Sequence, residues 1–300
     1  MPQSAFSLLD DMKTAATAPN MAAWPWLQSF RRRNVMLDEF FYDVGALEAL
    51  WLAAAPFADK EGSLLIVPPT GGGDIEHFAD LGEYAAGGGE SVRTVAVAGV
   101  GSSALGTAAL ARNVADAVGE PVCGLVSGYG VADVMSEALG GWFIFRRRNL
   151  IDHAVEEAGA VFQNIAMPGT GLDAPLTDVS GSPDTLTLFR LLADGRFPVE
   201  RLVGHSKGNL VIADTLYALV DWLHGLGRPA PADLHIVTVS AMVYMPNAFR
   251  RVTDVMGEID WFGRLNSSPA LEPDVVVPGA WHHTNPALPH ALKVTEALKP

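Results

Sequence analysis

After residue 62 the chain settles into a rhythm that few folds tolerate: short apolar runs, each bounded by Gly or Pro, alternate with stretches of helical periodicity. The runs are Leu64–Val67, 94–98, 122–126, 142–145, 161–166, 201–203, 234–239 and Val275–Val277. Each is too short for a helix, and most are apolar at successive rather than alternate positions, the pattern of a strand covered on both faces. Strands of that kind need helices on either side, and parallel neighbours need crossovers long enough to carry the chain back. Segments 104–118 and 209–223 supply such helices, the second with Leu210, Ala213, Leu216 and Val220 on one face. The pattern predicts an α/β architecture: a mainly parallel sheet flanked by helices.

Residues 1–61 have a different texture. They read as helical and hold Trp24, Trp26, Phe30, Phe40, Phe41, Tyr42 and Trp51, with Arg31, Arg32 and Arg33 on a solvated face. The expectation is a helical N-terminal segment packed on a main domain over 62–300, the aromatics serving ordinary packing. Within that domain, 129–183 reads as an insertion or a lid, and Arg146, Arg147 and Arg148 as a second solvated run.

Composition removes several function classes. With 49% apolar and 18% charged residues in 300, the chain can bury a large core, which excludes disorder. A net charge of −14 repels phosphate backbones and argues against nucleic acid as a partner. A lone cysteine, Cys123, rules out an internal disulfide framework and a cysteine-rich zinc module. The longest apolar stretch, 44–58, is broken by Glu48 and Pro56, so no membrane span is expected. The N-terminus lacks a basic start followed by an apolar core, and the expected location is cytoplasmic.

Chemistry concentrates in segment 201–223, RLVGHSKGNLVIADTLYALVDWL. Gly204-His205-Ser206-Lys207-Gly208 is a G-x-S-x-G pentapeptide, weak by itself but here set between an apolar strand and an apolar-periodic helix. That context suits a nucleophile elbow: a sharp turn projects the hydroxyl of Ser206, and the helix N-terminus behind it offers amides to a developing oxyanion. The amide of Lys207 would be one donor. The bland alternative is a Gly-bounded turn without catalysis.

On VGHSKGN, and more loosely on the order of elements over 62–300, the sequence resembles the α/β-hydrolase family of esterases and lipases. The resemblance implies a mainly parallel sheet with helices on both faces, a triad in the order Ser, Asp or Glu, His, and no cofactor or metal. Lys207 departs from the smaller or apolar residue commoner there, and would set a flexible cation near the site mouth. The family's acid follows a strand beyond the elbow, which points to Asp260, with Asp254 and Glu258 as rivals. A helix N-cap or turn is the structural alternative for Asp260. The family's G-x-x-H loop, here Gly279 to His282 after Val275–Val277, points to His282 as base, with His283 next and His290 a distant rival. The second oxyanion donor would be the amide of Val100, after the run at 94–98. The turns at 145–148 and 69–74 compete with it. His205 reads as a structural neighbour of the serine, and the His282–His283 pair as a poor metal site.

The same stretch carries a competing fingerprint, Gly99-x-Gly101-x-x-Ala104 after a strand, which suits a dinucleotide pyrophosphate. The next strand ends in Ser127 and Gly128 instead of the acid that would hold a ribose hydroxyl. The sequence thus favours a serine hydrolase acting on a small-molecule or lipid-like ester. The alternatives are an NAD(P)-binding oxidoreductase and an inactive scaffold of the same fold.

Overall fold

A computed structural model describes residues 36–47, 60–99, 102–127 and 182–298. Several expectations lie outside the described residues: the runs at 142–145 and 161–166, nearly all of the 129–183 insertion, both arginine runs, most of 1–61, and the oxyanion candidates Val100 and 145–148.

The strands are β1 (Leu64–Val67), β2 (Glu76–Phe78), β3 (Thr94–Val97), β4 (Val122–Leu125), β5 (Arg201–His205), β6 (His235–Val239), β7 (Arg251–Gly257) and β8 (Val275–Val277). They form one sheet in the order β2-β1-β4-β3-β5-β6-β7-β8. From β4 to β8 every pairing is parallel, whereas β1 runs antiparallel to β4 and β2 antiparallel to β1. The expectation of a mainly parallel sheet holds, and the antiparallel pair at one end, including the unforeseen β2, refines it. The α-helices that lie wholly within the described residues include α1 (Leu81–Ala86), α2 (Ala104–Val118), α3 (Pro183–Ala193), α4 (Gly208–Gly225), α5 (Trp261–Asn266) and α6 (Val294–Ala297). Among the described residues no helix is long and apolar enough to cross a membrane.

The unbroken apolar character of the central strands follows from burial on both faces. Val95, Leu202 and Ile236 point into one core with α3 and α4, while their neighbours Ala96, Val203 and Val237 point into another with α2. Tyr42 and Leu47 join the second core, which docks residues 36–47 on the sheet. β8 corrects an expectation. Its three successive valines suit a buried strand, but it lies at the sheet edge with Val276 exposed, and its apolar run is partly solvated.

The winding reverses between β3 and β5. From β3 the chain moves to β4 on one side, and from β5 it moves through β6 and β7 to β8 on the other. At such a switch the loops leaving the carboxyl ends of adjacent strands diverge and open a crevice, the usual place for a ligand in an open α/β sheet. The loop after β3 and the turn after β5 flank that point. The rival loop at 69–74 follows Val67, which pairs with Val122 at the start of β4, so it lies at the opposite end of the sheet. It is thereby excluded as an oxyanion donor.

Candidate active site

Ser206 sits between β5 and α4 with φ of +53°, a left-handed conformation that costs a non-glycine residue roughly 1–2 kcal/mol. The turn is held by its neighbours: Ser206 N–H donates to Val239 O (2.9 Å), and Asn209 Nδ2 donates to Val239 O (3.1 Å) and Ala241 O (2.7 Å). Both glycines of the pentapeptide are explained by close approach. A Cβ on Gly204 would run into Asn209 Oδ1, and one on Gly208 into the carbonyl oxygens of Val97 and Ala98. The first internal donors of the following helix are Asn209, Leu210 and Val211. The amides of Lys207 and Gly208 therefore precede the ladder, at the positive end of the helix dipole.

Three residues distant in sequence converge here. His282 Nε2 lies 3.1 Å from Ser206 Oγ, and its Nδ1 lies 3.1 and 3.0 Å from the two Asp260 oxygens. A carboxylate can only accept, so Nδ1 carries the proton and Nε2 is left to accept from the serine hydroxyl. Asp260 is fully buried and His282 nearly so. The imidazole makes T-shaped contacts with Phe262 (centroids 4.8 Å apart) and Phe41 (6.0 Å). The two readings of Asp260 turn out to be simultaneous. Its Oδ1 also accepts from Gly263 N–H (2.6 Å) as the N-cap of α5. The cap fixes the carboxylate that the histidine meets.

The rivals have other tasks. Asp254 lies within β7 and accepts from the Thr238 hydroxyl, and burial holds its carboxyl up at about 6. Glu258 accepts from Gly279 N–H (2.8 Å), bracing the loop that carries His282. His283 Nε2 meets Pro289 O (2.9 Å), and His290 Nδ1 meets Gly279 O (2.9 Å). Asp260 gives the paired histidines an acidic neighbour, meeting His282 Nδ1. Even so, among the described residues no group of three or more His, Cys, Asp or Glu side chains converges as a metal site.

Lys207 corrects another expectation. Its side chain is buried, facing Glu61 and Asp214, instead of waving at the site mouth. Burial lowers its ammonium to about 8 against the pull of those two acids. Glu61 and Asp184 are raised well above the usual carboxylate range, chiefly by burial.

Val100 and Gly101 lie outside the described residues, but both ends of their loop are visible. A Cβ on Gly99 would stand 3.2 Å from Ser206 Cβ, so the loop after β3 borders Ser206. At its far end Ser103 caps α2, accepting from Leu105 N–H (3.0 Å). Asp38 closes that end: one of its oxygens accepts from Ser103 N–H (2.9 Å) and Ser103 Oγ (2.5 Å). A Cβ on Gly106 would strike the other oxygen. The start of α2, where the competing fingerprint would seat a pyrophosphate, is thus filled by a carboxyl group of the chain. Ser127, in place of the expected ribose-binding acid, donates to Ala98 O (3.0 Å).

Sequence reasoning missed Asp38 and Tyr42. Tyr42 Oη lies 2.7 Å from Gly99 N and 2.9 Å from His205 Nδ1. His205 Nε2 in turn lies 2.9 Å from the carbonyl oxygen of His282. The one available signal was a phenol within an aromatic run, FFY, since a buried tyrosine hydroxyl must find a partner. Comparison of the chain with family models, curated proteins and solved structures finds no match.

Proposed function

We propose that this chain is an α/β-hydrolase that cleaves carboxylic esters through an acyl-enzyme on Ser206. The observation that carries the reading is the hydrogen-bonded series Ser206–His282–Asp260, reached from three separate loops and starting at a strained residue in front of an uncapped helix. Strain at a non-glycine residue persists only where the surroundings enforce it, and it concentrates at functional sites.

In this reaction His282 Nε2 takes the hydroxyl proton as Ser206 Oγ attacks the ester carbonyl carbon. The carbonyl oxygen becomes an oxyanion facing the start of α4, with the amide of Lys207 as donor and, by the family resemblance, that of Val100 as the second. Collapse expels the alcohol, which leaves with the proton held by His282. Water then repeats the sequence on the acyl group, giving the free acid and restoring Ser206. Asp260 keeps the imidazole in one tautomer and stabilises it while charged. The ring collar of Phe41 and Phe262 and the net charge of −14 favour neutral, apolar esters. This reading is preferred to nicotinamide-nucleotide binding because Asp38 occupies the helix start that a phosphate needs.

The test is labelling with a fluorophosphonate probe, followed by p-nitrophenyl esters of increasing chain length. Wild type should label and turn over, and Ser206→Ala should do neither while melting at the wild-type temperature or above. A folded wild type that stays unlabelled sinks the proposal. Retention on immobilised nicotinamide nucleotide would revive the alternative.

A further inference from the structure

We propose that His205 and Tyr42 are positioning residues for the catalytic base, an inference that rests on the hydrolase reading above. Together they tie the backbone of His282 to the strand that carries the nucleophile. The need for such a tie is visible in the sheet. His282 follows β8, a three-residue edge strand whose central valine is exposed, so its own strand supports the loop weakly. Ser206, in contrast, follows β5 in the middle of the sheet. Nothing in the strand ladder alone fixes the separation of these two side chains, which must be held to within a fraction of an ångström for proton transfer.

His205 spans that gap. It immediately precedes Ser206 and is the last residue of β5, and its imidazole reaches the carbonyl oxygen of His282 itself. Ser240 Oγ, at 3.5 Å, is the other donor to that oxygen. The carbonyl oxygen can only accept, so His205 Nε2 carries the proton. Neutral His205 then has a bare Nδ1, which accepts from the phenol, while the phenol oxygen accepts from Gly99 N–H. The chain therefore runs one way, from Gly99 N–H to Tyr42, from Tyr42 to His205, and from His205 to the His282 carbonyl. Both side chains are buried, and burial holds the His205 imidazole down to about 3, so it stays neutral and the direction does not reverse.

The segment bearing Tyr42 is itself anchored on the same loops. Phe41 O accepts from Thr284 N–H (2.7 Å) and its hydroxyl (3.1 Å), and Glu39 O accepts from Asn285 Nδ2 (2.7 Å). Asp38 fixes the loop after β3 through Ser103. Residues 38–42 thus index three loops of the reaction centre to one another: the turn after β3, the elbow and the histidine loop.

The experiment compares His205→Leu, His205→Gln and Tyr42→Phe in the full chain. It measures steady-state p-nitrophenyl ester hydrolysis, the rate of fluorophosphonate labelling and thermal unfolding. Glutamine can accept from Tyr42 and donate to the His282 carbonyl, whereas leucine can do neither. His205→Leu should lower kcat and labelling rate by about tenfold to a hundredfold with KM nearly unchanged, the signature of misplaced catalytic groups. His205→Gln should recover most of that loss. Tyr42→Phe should lose about tenfold, and it carries the test if His205→Leu fails to fold. A folded His205→Leu with wild-type kcat, a Gln variant as impaired as the Leu variant, or a loss seen in KM alone overturns the positioning role. In each of those cases a labelled wild type leaves the hydrolase reading standing; an unlabelled wild type removes both.

Discussion

Two strand-to-helix turns flank the point where the sheet reverses its winding, and they use the same ingredients in opposite ways. Both follow a central parallel strand, both are rich in Gly and Ser, and both open a long helix. At the turn after β3 the serine is spent on structure. Ser103 caps α2, and Asp38 arrives from the N-terminal segment to take up its amide and hydroxyl. At the turn after β5 the residue in the capping position is Lys207, which makes no side-chain cap, and the serine before it is held in a left-handed conformation with its hydroxyl toward an imidazole. A helix N-terminus is a source of unsatisfied N–H groups and positive potential. One turn satisfies such groups with a carboxyl from elsewhere in the chain, and the other makes no side-chain cap. The lesson is that a Gly-Ser-rich turn is no guide to an anion site until the neighbouring carboxylates are known.

The contrast makes a double dissociation testable. Substitutions of the groups that meet the Ser206 hydroxyl and its imidazole should strike turnover and spare stability, those of the groups that close the β3 turn should do the reverse, and one that forces the two turns apart should strike both. The largest effect is expected from Asp260→Asn, which keeps a good N-cap for α5 but lets the imidazole adopt the wrong tautomer. Its kcat for ester hydrolysis should fall about 10³- to 10⁴-fold, with a melting temperature near that of wild type. Wild-type kcat in a folded Asn variant would remove Asp260 from the triad. Next is Gly208→Ala, where the added methyl meets the backbone of β3 and forces the two turns apart. A loss of about 1–3 kcal/mol in urea unfolding, together with reduced turnover, should result. Stability equal to wild type would show that the close approach is not tight.

A pH series sharpens the β3 side. Burial raises Asp38 from 3.8 to about 7, against the pull of its hydrogen bonds from Ser103. Between those values the unfolded chain has released the proton and the folded chain has kept it, so this group's contribution to stability falls as pH rises from about 4 to 7. Asp38→Asn cannot titrate, and its stability relative to wild type should improve steadily across that window in denaturant melts. A pH-independent difference would mean that Asp38 is ionised throughout. The smallest effect belongs to Ser103→Ala, which removes one cap. It should cost about 1 kcal/mol and leave kcat within a few-fold of wild type. A collapse of turnover in that variant would break the comparison, because both turns would then serve catalysis directly.

The elbow was legible because its constraints lie close together along the chain: Gly204 is required by Asn209, and the turn is completed within the strand–turn–helix unit. The alternation of buried strands and helices was legible for the same reason, since periodicity records which faces are covered. Edge status was not, and the apolar run of β8 looked like a buried strand because three valines read alike at an edge or in the middle. The histidine choice needed distance as well. His282 and His283 are neighbours of one chemical type, and only the fold turns one toward Ser206 and the other toward Pro289.

By itself, then, the sequence determined the layered architecture and the shape of the turn at Ser206, both consequences of local backbone geometry and burial. The tertiary structure alone decided which histidine meets the serine, that Asp260 is cap and carboxylate partner at once, and that Asp38 and Tyr42 belong to the site. The physical reason is separation. Ser206 and His282 are 76 positions apart and Tyr42 and His205 are 163, and hydrogen bonds over such spans leave no periodic trace in the chain that makes them.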